Sequence, residues 1–123
     1  RLVVKMKSIL IVEDNHDIRD LMEMLLRQSG YNVFLAENGK KAIEILENIH
    51  VPDLILLDIE MPVMSGLDFL KATKSNPKFA GIPVIILSAA KAGEVDLIEE
   101  IIHKPFNIED LLASISKILD HKA

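Results

Sequence analysis

The stretch that most constrains this chain is Leu54-Ile55-Leu56-Leu57-Asp58, continued by Ile59-Glu60-Met61-Pro62-Val63-Met64-Ser65-Gly66. Apolar residues run directly into a carboxylate, and Pro62 and Gly66 break the chain soon after. A short apolar run bounded by turn residues predicts a strand buried on both faces, as in a parallel sheet. Asp58 then stands at the carboxyl end of that strand, where the ligand chemistry of open parallel sheets gathers. Burying an acid is costly unless it is paired, hydrogen-bonded or bound to a metal. Asp58 therefore demands partners from elsewhere in the chain.

The flanking sequence supplies the rest of such a sheet. Ser8 to Val12 reads as strand one and ends at Glu13-Asp14-Asn15, where Asp14 or Asn15 can cap a helix. Ile18, Leu21, Met22, Leu25 and Leu26 recur at helical spacing between His16 and Ser29, and Gly30 takes the position after the last turn. Asn32 to Ala36 reads as strand two. After Asn38-Gly39, the residues Ala42, Ile43, Ile45 and Leu46 mark a second helix ending near Asn48. A third helix is expected from Gly66 to Lys74, with Leu67, Phe69 and Leu70 apolar. Val84 to Leu87 reads as strand four, ending at Ser88. Ile101 to His103 reads as a short strand five, ending at Lys104-Pro105-Phe106. Asn107 caps a last helix, Ile108 to about Asp120, with Leu111, Leu112, Ile115, Ile118 and Leu119 inward. Strands alternating with helices imply a parallel sheet with right-handed crossovers and helices on both faces. The expected fold is a five-stranded, doubly wound α/β domain.

The 123 residues suit one domain, expected over residues 6–121, with residues 1–5 as an upstream extension or a remnant of expression. The core is expected to be Ile, Leu and Val, because the chain has four Phe, one Tyr and no Trp. A formal net charge of −5 argues against nucleic-acid binding by this domain. The absence of cysteine excludes disulfides and thiolate metal sites and accords with a cytoplasmic home. No apolar run approaches membrane-spanning length and no secretory pattern is present. His16, His50, His103 and His121 show no ligand spacing and read as structural or surface residues. Met22, Met24, Met61 and Met64 read as packing residues.

Four of the expected strands end in polar groups: Glu13 and Asp14, Asp58, Ser88, and Lys104. Taken singly, each is ordinary: the acids cap loops, Ser88 is a loop hydroxyl and Lys104 a surface charge. In a parallel sheet, however, these ends share one edge and can converge. Carboxylates brought together repel unless a cation sits among them. An all-oxygen set suits Mg²⁺, which keeps several waters and commonly works beside phosphate. A lysine and a hydroxyl bind phosphate, and Asp58 can attack phosphorus to give an aspartyl phosphate.

The pieces Ile-Leu-Ile-Val-Glu13-Asp14-Asn15, Asp58-x-x-Met61-Pro62-x-Met64-x-Gly66, Leu87-Ser88-Ala89 and Lys104-Pro105-Phe106, in this order and spacing, resemble the receiver domain of two-component response regulators, from Met6 to His121. The resemblance implies the flavodoxin-like strand order 2-1-3-4-5. It implies that Asp58 takes phosphate from a sensor histidine kinase or phosphotransfer protein and thereby switches binding to an output partner that remains unnamed. Such a chain catalyses its own Asp phosphorylation and dephosphorylation and is not a conventional enzyme. By matching position, Asp14 and Asp58 would bind Mg²⁺ directly, Glu13 mainly through water and Glu60 by its backbone carbonyl. Ser88 and Lys104 would hold phosphoryl oxygens, and the Lys104–Pro105 bond would be cis. The first helix, through Ile18 and Met22, would receive the phosphodonor protein if these residues are not simply core.

The chain departs from the family pattern between Ser88 and Lys104, which is shorter by roughly one and a half helical turns. Only about ten residues remain for a crossover that usually needs ten to twelve, and Gly93 disfavours a helix there by about 1 kcal/mol relative to Ala. The helix between strands four and five is therefore expected to be reduced or absent. Ile101 stands where the family commonly has an aromatic residue. A second reading, a receiver-shaped interaction module that works without phosphorylation, draws on this shortened segment and is opposed by the intact acids, Ser88 and Lys104. An aspartyl phosphohydrolase fits less well, because Glu60 stands where the dehalogenase-like pattern carries a second Asp.

Overall fold

The strands form because β-branched and leucine side chains alternate between two faces that are both covered. In the computed structural model, which describes residues 6–48, 51–58, 66–88, 100–103 and 106–120 (the side chains of 88 and 100–103 excepted), the elements alternate throughout. They are β1 (Ser8–Val12), α1 (His16–Gln28), β2 (Asn32–Ala36), α2 (Gly39–Asn48), β3 (Leu54–Asp58), α3 (Gly66–Lys74), β4 (Val84–Ser88), β5 (Glu100–His103) and α4 (Ile108–Asp120). All strand pairs are parallel. The order is β2-β1-β3-β4-β5, with the short β5 laid along the outer side of β4. This is the doubly wound, flavodoxin-like α/β arrangement, with four helices among the described residues.

The pleat sorts each strand's residues into two cores. On one face Leu10, Val12, Ile55, Leu57, Val84 and Ile86 pack with Ala42 and Leu46 of α2 and Phe69 and Leu70 of α3. On the other, Ile9, Ile11, Leu54, Leu56, Ile85 and Leu87 pack with Met22 and Leu26 of α1 and Leu111, Ile115 and Leu119 of α4. Burying both faces is what permits the unbroken apolar run of β3.

Helix α1 is bounded by sequence chemistry at both ends. At its start the Ile18 N–H donates to Asn15 Oδ1 (3.0 Å), so Asn15 rather than Asp14 is the cap. At its end Gly30 adopts φ +95°, the left-handed conformation that L side chains resist. The Gly30 N–H donates to Arg27 O (3.1 Å) and the Tyr31 N–H to Leu26 O (3.1 Å), which satisfies the last carbonyls and turns the chain into β2. In the α3–β4 connection, Lys74 Nζ donates to Ala80 O (3.1 Å) and Ile82 O (3.0 Å), so a half-buried lysine holds the loop that leads into β4.

Some expectations change. Met24, expected to pack, is 49 % exposed, and Leu21 is 52 % exposed. Helix α1 rests on β1 and β2, which cover only the stripe of Met22 and Leu26. Met22 therefore belongs to the core and not to a docking face, whereas Ile18, 36 % exposed, remains accessible. The expected reduction of a helix between β4 and β5, the Lys104–Pro105 isomer, the Ile101 side chain, and Met61 and Met64 lie outside the described residues.

Candidate functional site

The carboxyl edge of the sheet gathers the acids through strand register alone. Val12 of β1 is paired with Leu57 of β3, so the next residues, Glu13 and Asp58, stand level on adjacent strands. Glu13 continues the alternation of Ile9 and Ile11, and Asp58 that of Leu54 and Leu56, so the pleat gives both the face that α1 covers. Both are buried, at 1 % and 2 % exposure, while Asp14, one residue further, is exposed. An oxygen from each of Glu13, Asp14 and Asp58 lies within 4.8 Å of the others.

The loop that carries two of these acids is tied down by backbone and side-chain bonds. The Glu13 N–H donates to Ala36 O of β2 (3.0 Å), extending the sheet ladder past β1. Glu13 Oε2 accepts from the Asn15 N–H (3.2 Å), and the Glu13 carbonyl accepts from Arg19 Nη1 (3.0 Å). Asn15 thus serves twice, capping α1 and orienting the Glu13 carboxylate. Neither the second role of Asn15 nor the reach of Arg19 follows from sequence patterning, because both depend on where the turn points its carbonyl. His16, expected at the surface, is exposed and lies 3.5 Å from Asp17 and 3.2 Å from Asp20.

On the far side, β4 places the backbone of Leu87 beside Asp58 and that of Ser88 one residue further along the same edge. Ser88 is paired in turn with His103, the last residue of β5. The Ser88 side chain, Lys104 and Glu60 lie outside the described residues, so the three acids are the members of the expected set whose convergence is described.

Chemically, the three acids form a hard oxygen donor set. Ionised carboxylate oxygens at such separations repel by on the order of 1 to 3 kcal/mol per pair, depending on the effective dielectric. A small hard divalent cation offsets that repulsion, and the exposed side at Asp14 leaves room for the waters Mg²⁺ retains. The donor set therefore fits Mg²⁺.

Known proteins share the sequence pattern and the fold of this chain. The family described as "Response regulator receiver domain" matches residues 9–116. The chain is 37 % identical over 125 residues to the sporulation initiation phosphotransferase F of Bacillus subtilis (strain 168), covering 95 % of this chain and 97 % of that protein. It is 36 % identical over 121 residues to the transcriptional regulatory protein CpxR of Escherichia coli (strain K12), covering 93 % of this chain. It spans only half the length of that relative, 50 %. Among solved structures it is similar to the response regulator TrrA of Thermotoga maritima in complex with Mg(2+)-BeF. The TM-score is 0.82 at 34 % identity, covering 93 % of this chain and 100 % of that one.

Proposed function

The chain belongs to the response regulator receiver domain family of two-component signalling, and on that premise we propose that it is a phosphoryl-accepting switch in which Asp58 is the acceptor. The observation that carries this reading is the convergence of Glu13, Asp14 and Asp58 at the carboxyl edge, with Asp58 buried at the end of β3. We take the receiver to extend over residues 6–121. Its phosphodonor is a sensor histidine kinase or a phosphotransfer protein, and the output partner is unnamed. The exposed Ile18 and Leu21 on α1, close after the acidic loop in sequence, are among the apolar groups available to a donor protein. Cytoplasmic residence accords with the lack of cysteine, and no helix among the described residues is long and apolar enough to cross a membrane.

The reaction assigns each group one task. A carboxylate oxygen of Asp58 attacks the phosphorus of a phosphohistidine, and a P–O bond forms as the P–N bond breaks. The imidazole nitrogen leaves with the bonding pair and takes a proton from solvent. Glu13, Asp14, Asp58 and the Glu60 carbonyl would hold Mg²⁺, which supplies positive charge against the phosphoryl oxygens when bound. The Ser88 hydroxyl and the Lys104 ammonium are assigned to the same oxygens, as donors that neutralise the transferred group. Dephosphorylation is attack of water on phosphorus: a P–O bond to the water oxygen forms as the P–O bond to Asp58 breaks. The Asp58 carboxylate leaves with the bonding pair, and inorganic phosphate is released with the water's proton lost to solvent.

Intact-mass analysis of the wild-type chain after acetyl phosphate and Mg²⁺ tests this reading, with a single added phosphate expected. A chain that stays unlabelled favours an interaction module that works without phosphorylation.

A metal titration gives an independent check. Asp14→Ala removes a direct oxygen ligand and a negative charge, and is expected to weaken Mg²⁺ binding strongly, by one to two orders of magnitude or about 1.4–2.8 kcal/mol. Glu13→Ala is expected to weaken it less, because Glu13 is assigned contact through water. Calorimetric titrations in which both variants match the wild type would move the metal away from these acids.

A further inference from the structure

Glu13 and Asp14 are joined by one peptide group, and that group is held from outside the loop. Its oxygen, the Glu13 carbonyl, accepts the hydrogen bond from Arg19 Nη1 at 3.0 Å. Arg19 is itself fixed at its backbone, where its N–H donates to Asn15 O at 2.9 Å. Asn15 in turn caps α1 through the Ile18 N–H and donates its own N–H to Glu13 Oε2 at 3.2 Å. The bonds close a ring through the end of β1, the acidic turn and the first turns of α1.

A peptide group is a rigid plane, so fixing its oxygen fixes the direction from the Glu13 Cα to the Asp14 Cα. Glu13 is buried and is additionally held by Ala36 O through its N–H. Asp14 is exposed, so burial does not place it, and the peptide plane must. We propose that Arg19 is a positioning residue for the acidic site: by holding the Glu13–Asp14 peptide it presents the Asp14 carboxylate to the divalent cation. This rests on the Mg²⁺-dependent reading above and deepens it.

The sign of the effect separates positioning from charge. A guanidinium near three carboxylates opposes a divalent cation, so removing its charge alone would tighten Mg²⁺ binding. Removing its grip on the peptide would loosen it. Outer partners that orient metal ligands are typically worth 10–100-fold in affinity, which makes the positioning effect the larger. Lysine keeps the charge and can still donate to the carbonyl but lacks the planar fork, so it restores part of the grip.

The test is calorimetric Mg²⁺ titration of the wild-type chain, Arg19→Met and Arg19→Lys, alongside urea unfolding without Mg²⁺. Arg19→Met preserves much of the apolar stem and is expected to bind Mg²⁺ about 10-fold more weakly, with Arg19→Lys in between. The Mg²⁺ concentration for half-maximal phosphate uptake from acetyl phosphate should rise by the same factor, whereas a purely structural role would lower stability and leave that midpoint in place. Affinity of Arg19→Met within twofold of wild type, or tighter, overturns the proposal. If Arg19→Met does not fold, Arg19→Lys decides, and wild-type affinity in that variant overturns it. A wild-type chain that binds no Mg²⁺ overturns the parent reading and this one with it, whereas normal wild-type binding with unaltered variants overturns this one alone.

Discussion

Asp58→Asn is expected to take up no phosphate from acetyl phosphate and Mg²⁺ under conditions where the wild-type chain takes up one. The amide has nearly the shape of the carboxylate, so the buried end of β3 should keep its packing. Its oxygen is a poor nucleophile, and the nitrogen is a donor where the reaction needs an anion. The register leaves little room for a substitute acceptor. Glu13 stands level with Asp58 but is bound to the Asn15 N–H, and Asp14 is one residue further along an exposed turn. Intact mass reads the outcome directly, and a variant labelled to the wild-type level would remove Asp58 from the role. Wild-type-like far-UV circular dichroism in the same sample would show that a lost label reflects chemistry and not unfolding.

The second large effect is on stability. Phe69→Ala should lower the unfolding free energy by about 3–5 kcal/mol, the usual range for deleting a buried phenyl ring. Phe69 has no exposed surface and lies in the core between the sheet and helices α2 and α3. Domains of this kind hold only about 5–15 kcal/mol in total, so the variant stands near the edge of folding. The control lies on the same helix: Leu67 is 40 % exposed, and Leu67→Ala should stay within about 0.5 kcal/mol of wild type, as for surface positions generally. Urea titrations of the two variants side by side check the contrast. Similar midpoints for both would mean that α3 does not anchor the sheet as its burial indicates.

These two expectations draw on different kinds of information. Asp58 could be singled out from four apolar residues and a pair of chain breakers, because a strand buried on both faces has no other place for a carboxylate than its end. Phe69 could be placed on an apolar helix face by spacing. That Leu67, two residues away and equally apolar, is left at the surface required the packed helix. The same distinction recurs on α1, where Ile18, Leu21, Met22, Leu25 and Leu26 satisfy one helical period. Only Met22 and Leu26 among them are buried, because α1 sits over β1 and β2.

By itself, then, the amino-acid order determined the alternation of strands and helices, the apolar faces, the place where α1 starts and the acids at the strand ends. These are set by local periodicity, turn chemistry and the cost of burying charge, all of which act within a few residues. Only the tertiary structure decided that Asn15 and not Asp14 makes the cap, and that Arg19 grips the Glu13 carbonyl. It likewise decided that Lys74 holds the carbonyls of Ala80 and Ile82, and that carboxylate oxygens from two strands come within 4.8 Å of one another. Each depends on strand register and on the direction in which a turn aims one carbonyl. A long flexible side chain can reach several such acceptors, and the packed fold selects one.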